Sequence, residues 1–77
     1  MKEFFLTQAE ENEEVVIISL RTGRMATKRL VDMGLVPGTK IKILRKAPFG
    51  PIEIEVKGSK LALGRGLATK IFVKHYE

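Results

Sequence analysis

The sequence predicts a mainly β fold with one short helix, arranged as a small β-barrel of about five strands. Short segments rich in β-branched residues recur along the chain, and turns containing glycine or proline separate them. Only one segment has the apolar spacing of an amphipathic helix. Closure into a barrel would also remove exposed strand edges, which promote aggregation in a chain this rich in predicted strands.

Length and composition indicate a single domain that covers residues 1–77. The chain has no cysteine, so neither a disulfide framework nor a thiolate metal site is available and stability must come from packing. The apolar run Val15–Ile18 is far shorter than the ~20 residues needed to cross a bilayer. The apolar segment Phe4–Leu6 is likewise too short for a signal peptide. We therefore expect a soluble, cytoplasmic protein without a membrane span.

The first half of the chain predicts one strand and one helix. Glu14–Leu20 is rich in β-branched residues and predicts a strand. Thr22-Gly23 supplies the start of a helix from about Arg24 to Met33, and Gly34 is suited to end it in the left-handed conformation. The helix is expected to turn one apolar face to the core, formed by Met25, Leu30 and Met33.

The second half predicts four more strands. Lys40–Ile43 and Ile52–Val56 alternate between apolar and charged residues, so their pairing would put two lysines opposite two glutamates: Lys40 and Lys42 with Glu53 and Glu55. A hairpin turn at Gly58-Ser59 would place Val56 opposite Leu61 and Ile54 opposite Leu63. A single helical turn at Leu67-Ala68 and a last strand over Lys70–Lys74 complete the prediction.

The positive charge is concentrated in one part of the chain. Residues 1–20 hold one lysine against five glutamates, a balance of −4, whereas residues 21–46 hold eight basic side chains against Asp32, a balance of +7. One interpretation of this basic segment is a solvated face. The other is a docking surface for an acidic partner, for RNA or for an anionic membrane surface.

The sequence shows no catalytic constellation, and we expect neither an enzyme nor a bound cofactor. One histidine without cysteine cannot form a Cys/His pair or a two-histidine zinc motif. Glu53 and Glu55 are interpreted as partners of lysines across the sheet. His75 is interpreted as a solvent-facing residue near the end of the chain, and the alternative is a weak transition-metal site that it shares with Glu or Asp.

Nucleic acid is not the expected partner. Proteins that bind single strands interleave basic and aromatic side chains on one face, and the basic segment contains no Phe, Tyr or Trp. Phe49 and Phe72 are expected in the core, with Phe49 folded over an apolar edge from the stiff loop Ala47–Pro51. A nucleic-acid-binding small β-barrel therefore remains as an alternative on charge alone.

The order of several segments resembles the FeoA family, small cytoplasmic accessory proteins of bacterial ferrous-iron transport. The resemblance runs from about Glu14 to Val73 and is carried by Lys28–Thr39, Ile41–Gly50, Pro51–Val56, Gly58 and Leu61–Leu63. It implies an SH3-like barrel that acts with FeoB, a membrane permease that bears a cytoplasmic G-protein domain. The module also resembles the SH3-like domain of diphtheria-toxin-repressor-type metal regulators, so a stand-alone domain that senses transition metals is a further alternative.

The sequence and the resemblance together predict a non-catalytic accessory or regulatory protein that docks on the cytoplasmic G-protein region of the permease. The residues expected to contact the partner are Arg29, Lys42, Arg45, Pro48 and Phe49. The two arginines have a second interpretation, as stems that cover the core. Pro48 and Phe49 likewise have a second interpretation, as loop packing. The oligomeric state and any metal binding by the chain itself stay open.

Overall fold

The computed structural model describes residues 2–77 and shows that the fold is mainly β. Its strands are β1 (Phe4–Phe5), β2 (Glu14–Leu20), β3 (Lys40–Lys46), β4 (Ile52–Val56), β5 (Ser59–Leu63) and β6 (Ile71–His75). Its helices are α1 (Arg24–Asp32) and α2 (Arg65–Ala68), and a 3-10 turn spans Leu6–Gln8. The predicted strands and the predicted helix are confirmed to within a few residues at their ends.

The strands form one antiparallel sheet that is not closed into a barrel, so the predicted mainly β class is confirmed and full closure of the barrel is not. The strand order is β1-β6-β2-β3-β4-β5, with β1 and β5 at the two edges. β1 ends after two residues because the chain enters the 3-10 turn, and α2 follows β5 almost at once. α2 contacts that turn, and its residue Ala68 is fully buried, as is Leu6. Side-chain packing between α2 and the 3-10 turn therefore connects the two edges of the sheet, and among the described residues no backbone hydrogen bonds join β1 to β5.

The edge strand β1 is the element that the sequence did not predict. Phe4 is paired with Val73 and Phe5 with Phe72. A two-residue strand carries no periodicity that could be detected along the chain. Its pairing instead depends on a contact with the other end of the sequence.

Helix α1 ends in a Schellman motif, as Gly34 predicted. Gly34 has φ +87°, and its N–H donates to the carbonyl of Val31 at 2.9 Å. The N–H of Leu35 donates to the carbonyl of Leu30 at 2.9 Å, and both leucine side chains are fully buried. This pair of hydrogen bonds and the apolar contact across it define the motif.

The predicted apolar face of α1 is correct for two of its three members. Leu30 is fully buried and Met33 packs against the core, whereas Met25 is 83% exposed. Met25 precedes Leu30 by five residues, and at 3.6 residues per turn this places the two side chains about 140° apart around the helix. Met25 therefore points to solvent.

Strands β3 and β4 pair with a β-bulge that shifts their register. The predicted pairing of charges across the two strands is found for Lys42, which lies opposite Glu55, whereas the residue opposite Glu53 is Arg45 and not a lysine. Lys40 instead places its Nζ 3.7 Å from Oε2 of Glu14 on β2. One extra residue in a strand produces such a shift because it breaks the strict alternation of the side chains.

The hairpin between β4 and β5 turns one residue earlier than predicted. Lys57 and Gly58 occupy the turn with φ 51° and 80°, and Val56 pairs with Ser59. Positive φ at both central residues is the hallmark of a type I′ turn. The predicted register is therefore wrong by two residues, since Ile54 lies opposite Leu61 and not opposite Leu63. A two-residue shift preserves the side-chain alternation, so the apolar faces still coincide.

One apolar core holds the sheet and the helices together. No polar or charged residue is buried in the described part of the chain. Among residues 2–77, no helix has both the length and the apolar character that a bilayer crossing requires. The buried residues are Leu6, Ala9, Val15, Ile17, Leu30, Leu35, Ile41, Ile43, Ile52, Ile54, Val56, Leu63, Ala68, Ile71 and Val73.

We predict that Gly34→Ala lowers the free energy of unfolding by about 1–2 kcal/mol, because alanine is strained at positive φ. Gly66→Ala is the matched control, since Gly66 lies in α2 with open space around its Cα and no positive φ. Alanine there is expected to raise the stability by about 0.5–1 kcal/mol. Urea denaturation measures both changes, and equal effects of the two substitutions would contradict the role of Gly34.

Candidate docking surface

The bulge in β3 brings two of the predicted contact residues onto one face of the sheet. Ile41 and Ile43 point into the core, so strict alternation would also turn Arg45 inward. The register shift between Ile43 and Arg45 reverses this, and Arg45 is exposed opposite Glu53. Arg45 therefore shares the outer face with Lys42, which is half-buried.

This outer face carries charges of both signs. Lys42 lies between two carboxylate residues, Glu14 on β2 and Glu55 on β4. Within residues 2–77, neither Lys42 nor Arg45 comes within ion-pair distance of an acidic oxygen. Both cationic groups are thus available to a partner, although neighbouring carboxylates reduce the net positive charge of this outer face.

The loop after β3 holds the next two predicted contact residues at the surface. Pro48 is exposed, and Phe49 has an exposed fraction of 100%. The expectation that Phe49 folds over the core is wrong, because the loop carries its ring away from the sheet. Ala47 to Pro51 contains no charged side chain, so the end of the β3–β4 hairpin is an apolar projection. We call residues 47–51 the apolar tip.

Arg65 of α2 holds the apolar tip in place. Its Nε donates to the carbonyl oxygen of Gly50 at 3.1 Å, and its Nη2 donates to the carbonyl oxygen of Ala47 at 2.5 Å. The tip is also tightly closed, since a Cβ added to Gly50 would lie 3.0 Å from the Cβ of Ala47. No pattern along the sequence signals this role of Arg65, because the two carbonyl groups precede it by 15 and 18 residues.

Arg29 lies apart from the other four predicted residues. It is exposed in the last turn of α1, where a cation interacts favourably with the helix dipole. No hydrogen bond or ion pair in the described residues joins it to β3 or to the apolar tip. The structure therefore groups Lys42, Arg45, Pro48 and Phe49 along one hairpin and leaves Arg29 on the helix.

Lys46 belongs to the basic segment of the sequence, but the fold uses its charge internally. Its Nζ donates to the carbonyl oxygens of Thr7 and Ala9 at 2.8 and 2.7 Å. Its backbone N–H donates to Oε2 of Glu11 at 2.8 Å. Lys46 thus ties the N-terminal segment to the end of β3. Its charge is consequently not available to an external partner.

An acidic cleft of about 640 Å³ lies beside the N-terminal segment. Nδ1 of His75 contacts Oε2 of Glu13 among the residues that line this cleft, and the ring centroid of His75 lies 4.8 Å from that of Phe4. The side chain of His75 is 61% exposed. In residues 2–77, no group of three or more His, Asp or Glu side chains is arranged to hold a metal ion.

Cations and aromatic rings meet in space although they are separated in sequence. The guanidinium of Arg21 lies 4.3 Å from the ring centroid of Phe72, and Nζ of Lys40 lies 4.6 Å from that of Tyr76. The ring of Phe72 also packs against that of Phe5, at 4.4 Å between centroids. Phe72 therefore has two neighbours on its ring, whereas the rings of Phe5, Phe49 and Tyr76 are exposed in the described residues.

The fold and this surface define a small SH3-like module. A zinc complex of Stenotrophomonas maltophilia FeoA, which is described as an SH3 domain protein, superposes with a TM-score of 0.81. It is 21% identical, and the alignment covers 92% of this chain and 89% of that structure. At this identity the likeness concerns the fold alone.

The chain belongs to the FeoA family, because the model of the FeoA domain matches residues 5–75. A Methanocaldococcus jannaschii relative that carries the name Fe(2+) transport protein A is 46% identical over 72 residues, which is 94% of this chain and 87% of the relative. A crystal structure of an iron uptake regulatory protein, FeoA, matches with a TM-score of 0.91 and 33% identity, over 97% of this chain and 100% of that structure. The resemblance inferred from the sequence is therefore confirmed.

We predict that Lys46→Met lowers the free energy of unfolding by about 1–2 kcal/mol, because two carbonyl oxygens lose a charged hydrogen-bond donor. Lys60→Met is the matched control, because Lys60 is exposed on β5 and donates no side-chain hydrogen bond in the described residues. Its expected effect is within about 0.5 kcal/mol. Thermal unfolding followed by circular dichroism compares the two. If both substitutions have the same effect, Lys46 does not tie the N-terminal segment to β3.

Proposed function

We propose that this protein is a non-catalytic accessory protein of ferrous-iron transport that acts in the cytoplasm. Membership of the FeoA family and the name of the Methanocaldococcus jannaschii relative support the pathway. The proposed partner is the cytoplasmic G-protein region of a FeoB-type permease. The protein would regulate the permease by binding to that region.

The observation that carries the docking proposal is the exposed apolar tip beside two cationic side chains. Pro48 and Phe49 project from the end of the β3–β4 hairpin, and Arg45 and Lys42 precede them on β3. Protein interfaces commonly combine an aromatic anchor with arginine and surround it with polar residues. Arg29 would add long-range attraction from α1 toward an acidic partner.

The two alternative functions have weaker support. A nucleic-acid-binding module would need several exposed rings interleaved with cations on one face, whereas the exposed rings of Phe5, Phe49 and Tyr76 lie in three separate segments of the chain. A stand-alone metal sensor would need a set of ligands, and the described residues contain no such cluster. Docking on a protein therefore explains the exposed residues of the candidate surface better than either alternative.

We predict that Arg45→Gln and Arg29→Gln each weaken binding to the purified cytoplasmic domain of the permease by about 2- to 5-fold, mainly through slower association. Binding of the unmodified protein should weaken as the salt concentration rises, since exposed charges are screened. Lys60→Gln removes an exposed cation on β5, two strands away from Lys42 and Arg45 on β3, and should leave the affinity unchanged. Surface plasmon resonance at two salt concentrations measures all four proteins.

Three results would contradict the proposal. The first is the absence of salt-sensitive binding to the permease domain together with normal ferrous-iron uptake after deletion of the gene. The second is an equal loss of affinity for Lys60→Gln and Arg45→Gln, which would indicate a general charge effect. The third is an RNA affinity that falls steeply with salt, which would favour the nucleic-acid alternative.

A further inference from the structure

The apolar tip combines full exposure with a fixed backbone. The ring of Phe49 is 100% exposed, and proline precedes it at position 48 and follows it at position 51. Proline restricts φ, so the flanking residues limit the conformations of the loop. Exposed loops usually gain mobility from small polar residues, and this one contains none. A rigid loop that presents one large apolar side chain is typical of a preorganised contact.

The backbone hydrogen bonds of the tip are too weak to fix it alone. The N–H of Ala47 lies 3.4 Å from the carbonyl oxygen of Pro51, and the N–H of Gly50 lies 3.4 Å from that of Ala47. These distances are at the long end for a hydrogen bond. The two bonds from Arg65 to Ala47 and Gly50 are shorter, at 2.5 and 3.1 Å. Arg65 is therefore the main restraint on the tip.

We propose that Phe49 is the anchor residue of the docking surface and that Arg65 is a positioning residue that holds the tip in its binding conformation. Arg65 reaches both ends of the Ala47–Gly50 segment with one planar guanidinium. A lysine ammonium could not reproduce this fork of donors. This proposal rests on the proposed docking function and assigns Phe49 and Arg65 as residues on which that function depends.

The partner that fits this surface is a protein with an apolar pocket that has an acidic rim. A single aromatic ring on a restrained backbone contributes most binding free energy in a pocket of complementary shape, because the loop needs little ordering when it binds. Arg45 and Lys42 lie on the adjoining strand and would face carboxylates at the rim. Arg65 contributes by fixing the backbone, since its Nε and Nη2 donate to the two carbonyl groups of the tip.

A membrane surface fits the tip less well. Stable attachment to a bilayer requires a large buried apolar area or several anchoring signals, and the tip offers one aromatic side chain. The outer face beside the tip also carries the exposed carboxylate residue Glu53. An anionic bilayer would repel that group. We therefore assign the tip to a protein partner.

The test compares Phe49→Ala, Arg65→Gln, Arg65→Lys and the double variant Phe49→Ala/Arg65→Gln by isothermal titration with the cytoplasmic domain of the permease. Phe49→Ala should weaken binding by about 30-fold, the loss expected for an interface hot spot. Each Arg65 variant should weaken it by about 3- to 10-fold through loss of preorganisation. In the Phe49→Ala background, Arg65→Gln should change the affinity by less than about 2-fold, since the positioned side chain is absent.

A measurement without the partner separates positioning from general stability. In Arg65→Gln and Arg65→Lys, the backbone order parameters of Ala47, Phe49 and Gly50 should fall from about 0.85 to below about 0.6, while those of the core strands stay high. Phe49→Ala should leave the order parameters and the melting temperature unchanged, because the ring contacts solvent. Lys60→Gln is again the matched control for loss of a cationic side chain.

The outcomes distinguish the inference from the function on which it rests. Absence of binding by the unmodified protein would overturn the proposed function and the anchoring role of Phe49 with it. Binding that Phe49→Ala retains, or that Arg65→Lys preserves at full strength, would overturn the inference alone. Additive effects in the double variant would also overturn it. So would sedimentation of the unmodified protein, but not of Phe49→Ala, with vesicles of phosphatidylcholine and phosphatidylserine, since that result would assign the tip to a membrane.

Discussion

Burial of a purely apolar core within an open antiparallel sheet is the constraint on which the rest of this structure depends. A chain of 77 residues without cysteine has no disulfide to supplement packing, and no polar or charged residue is buried in its described part. Every charged side chain must therefore lie at the surface or be tied to the backbone. The bulge in β3 separates these two roles, since it turns Arg45 outward and lets Lys46 bond the N-terminal segment.

The same constraint explains why the proposed docking surface lies on a hairpin end. The strands and α1 use their apolar side chains for the core, which leaves the connections free to carry exposed apolar residues. Among these connections, the β3–β4 loop is restrained by Arg65, whereas the β4–β5 turn contains only Lys57 and Gly58. An exposed phenylalanine on a restrained loop is suited to recognition, because the conformation that binds is already formed.

Local chemistry in the sequence predicted the elements, whereas contacts between distant residues determined what the prediction missed. Gly34 predicted the end of α1 because its role depends on neighbours within five residues. The pairing of Phe5 with Phe72, the bonds of Lys46 to Thr7 and the bonds of Arg65 to the apolar tip join residues far apart in sequence. No pattern along the chain signals them.

The hairpin register was wrong because Lys57 adopts a positive φ that is uncommon for a residue other than glycine. For the candidate site, the charged residues and the loop were predicted, but the full exposure of Phe49 and its support by Arg65 required the structure.

The central proposal is that residues 42–50 of the β3–β4 hairpin bind the permease, while Arg29 on α1 adds long-range attraction. Titration of the ¹⁵N-labelled protein with the unlabelled cytoplasmic domain, followed by two-dimensional NMR, tests it most directly, because the amide shifts report on each part of the surface separately. The largest shift changes are expected in residues 42–50, with small changes around Arg29 and in β5. Changes confined to the acidic cleft around Glu13 and His75, or no changes at all, would contradict it.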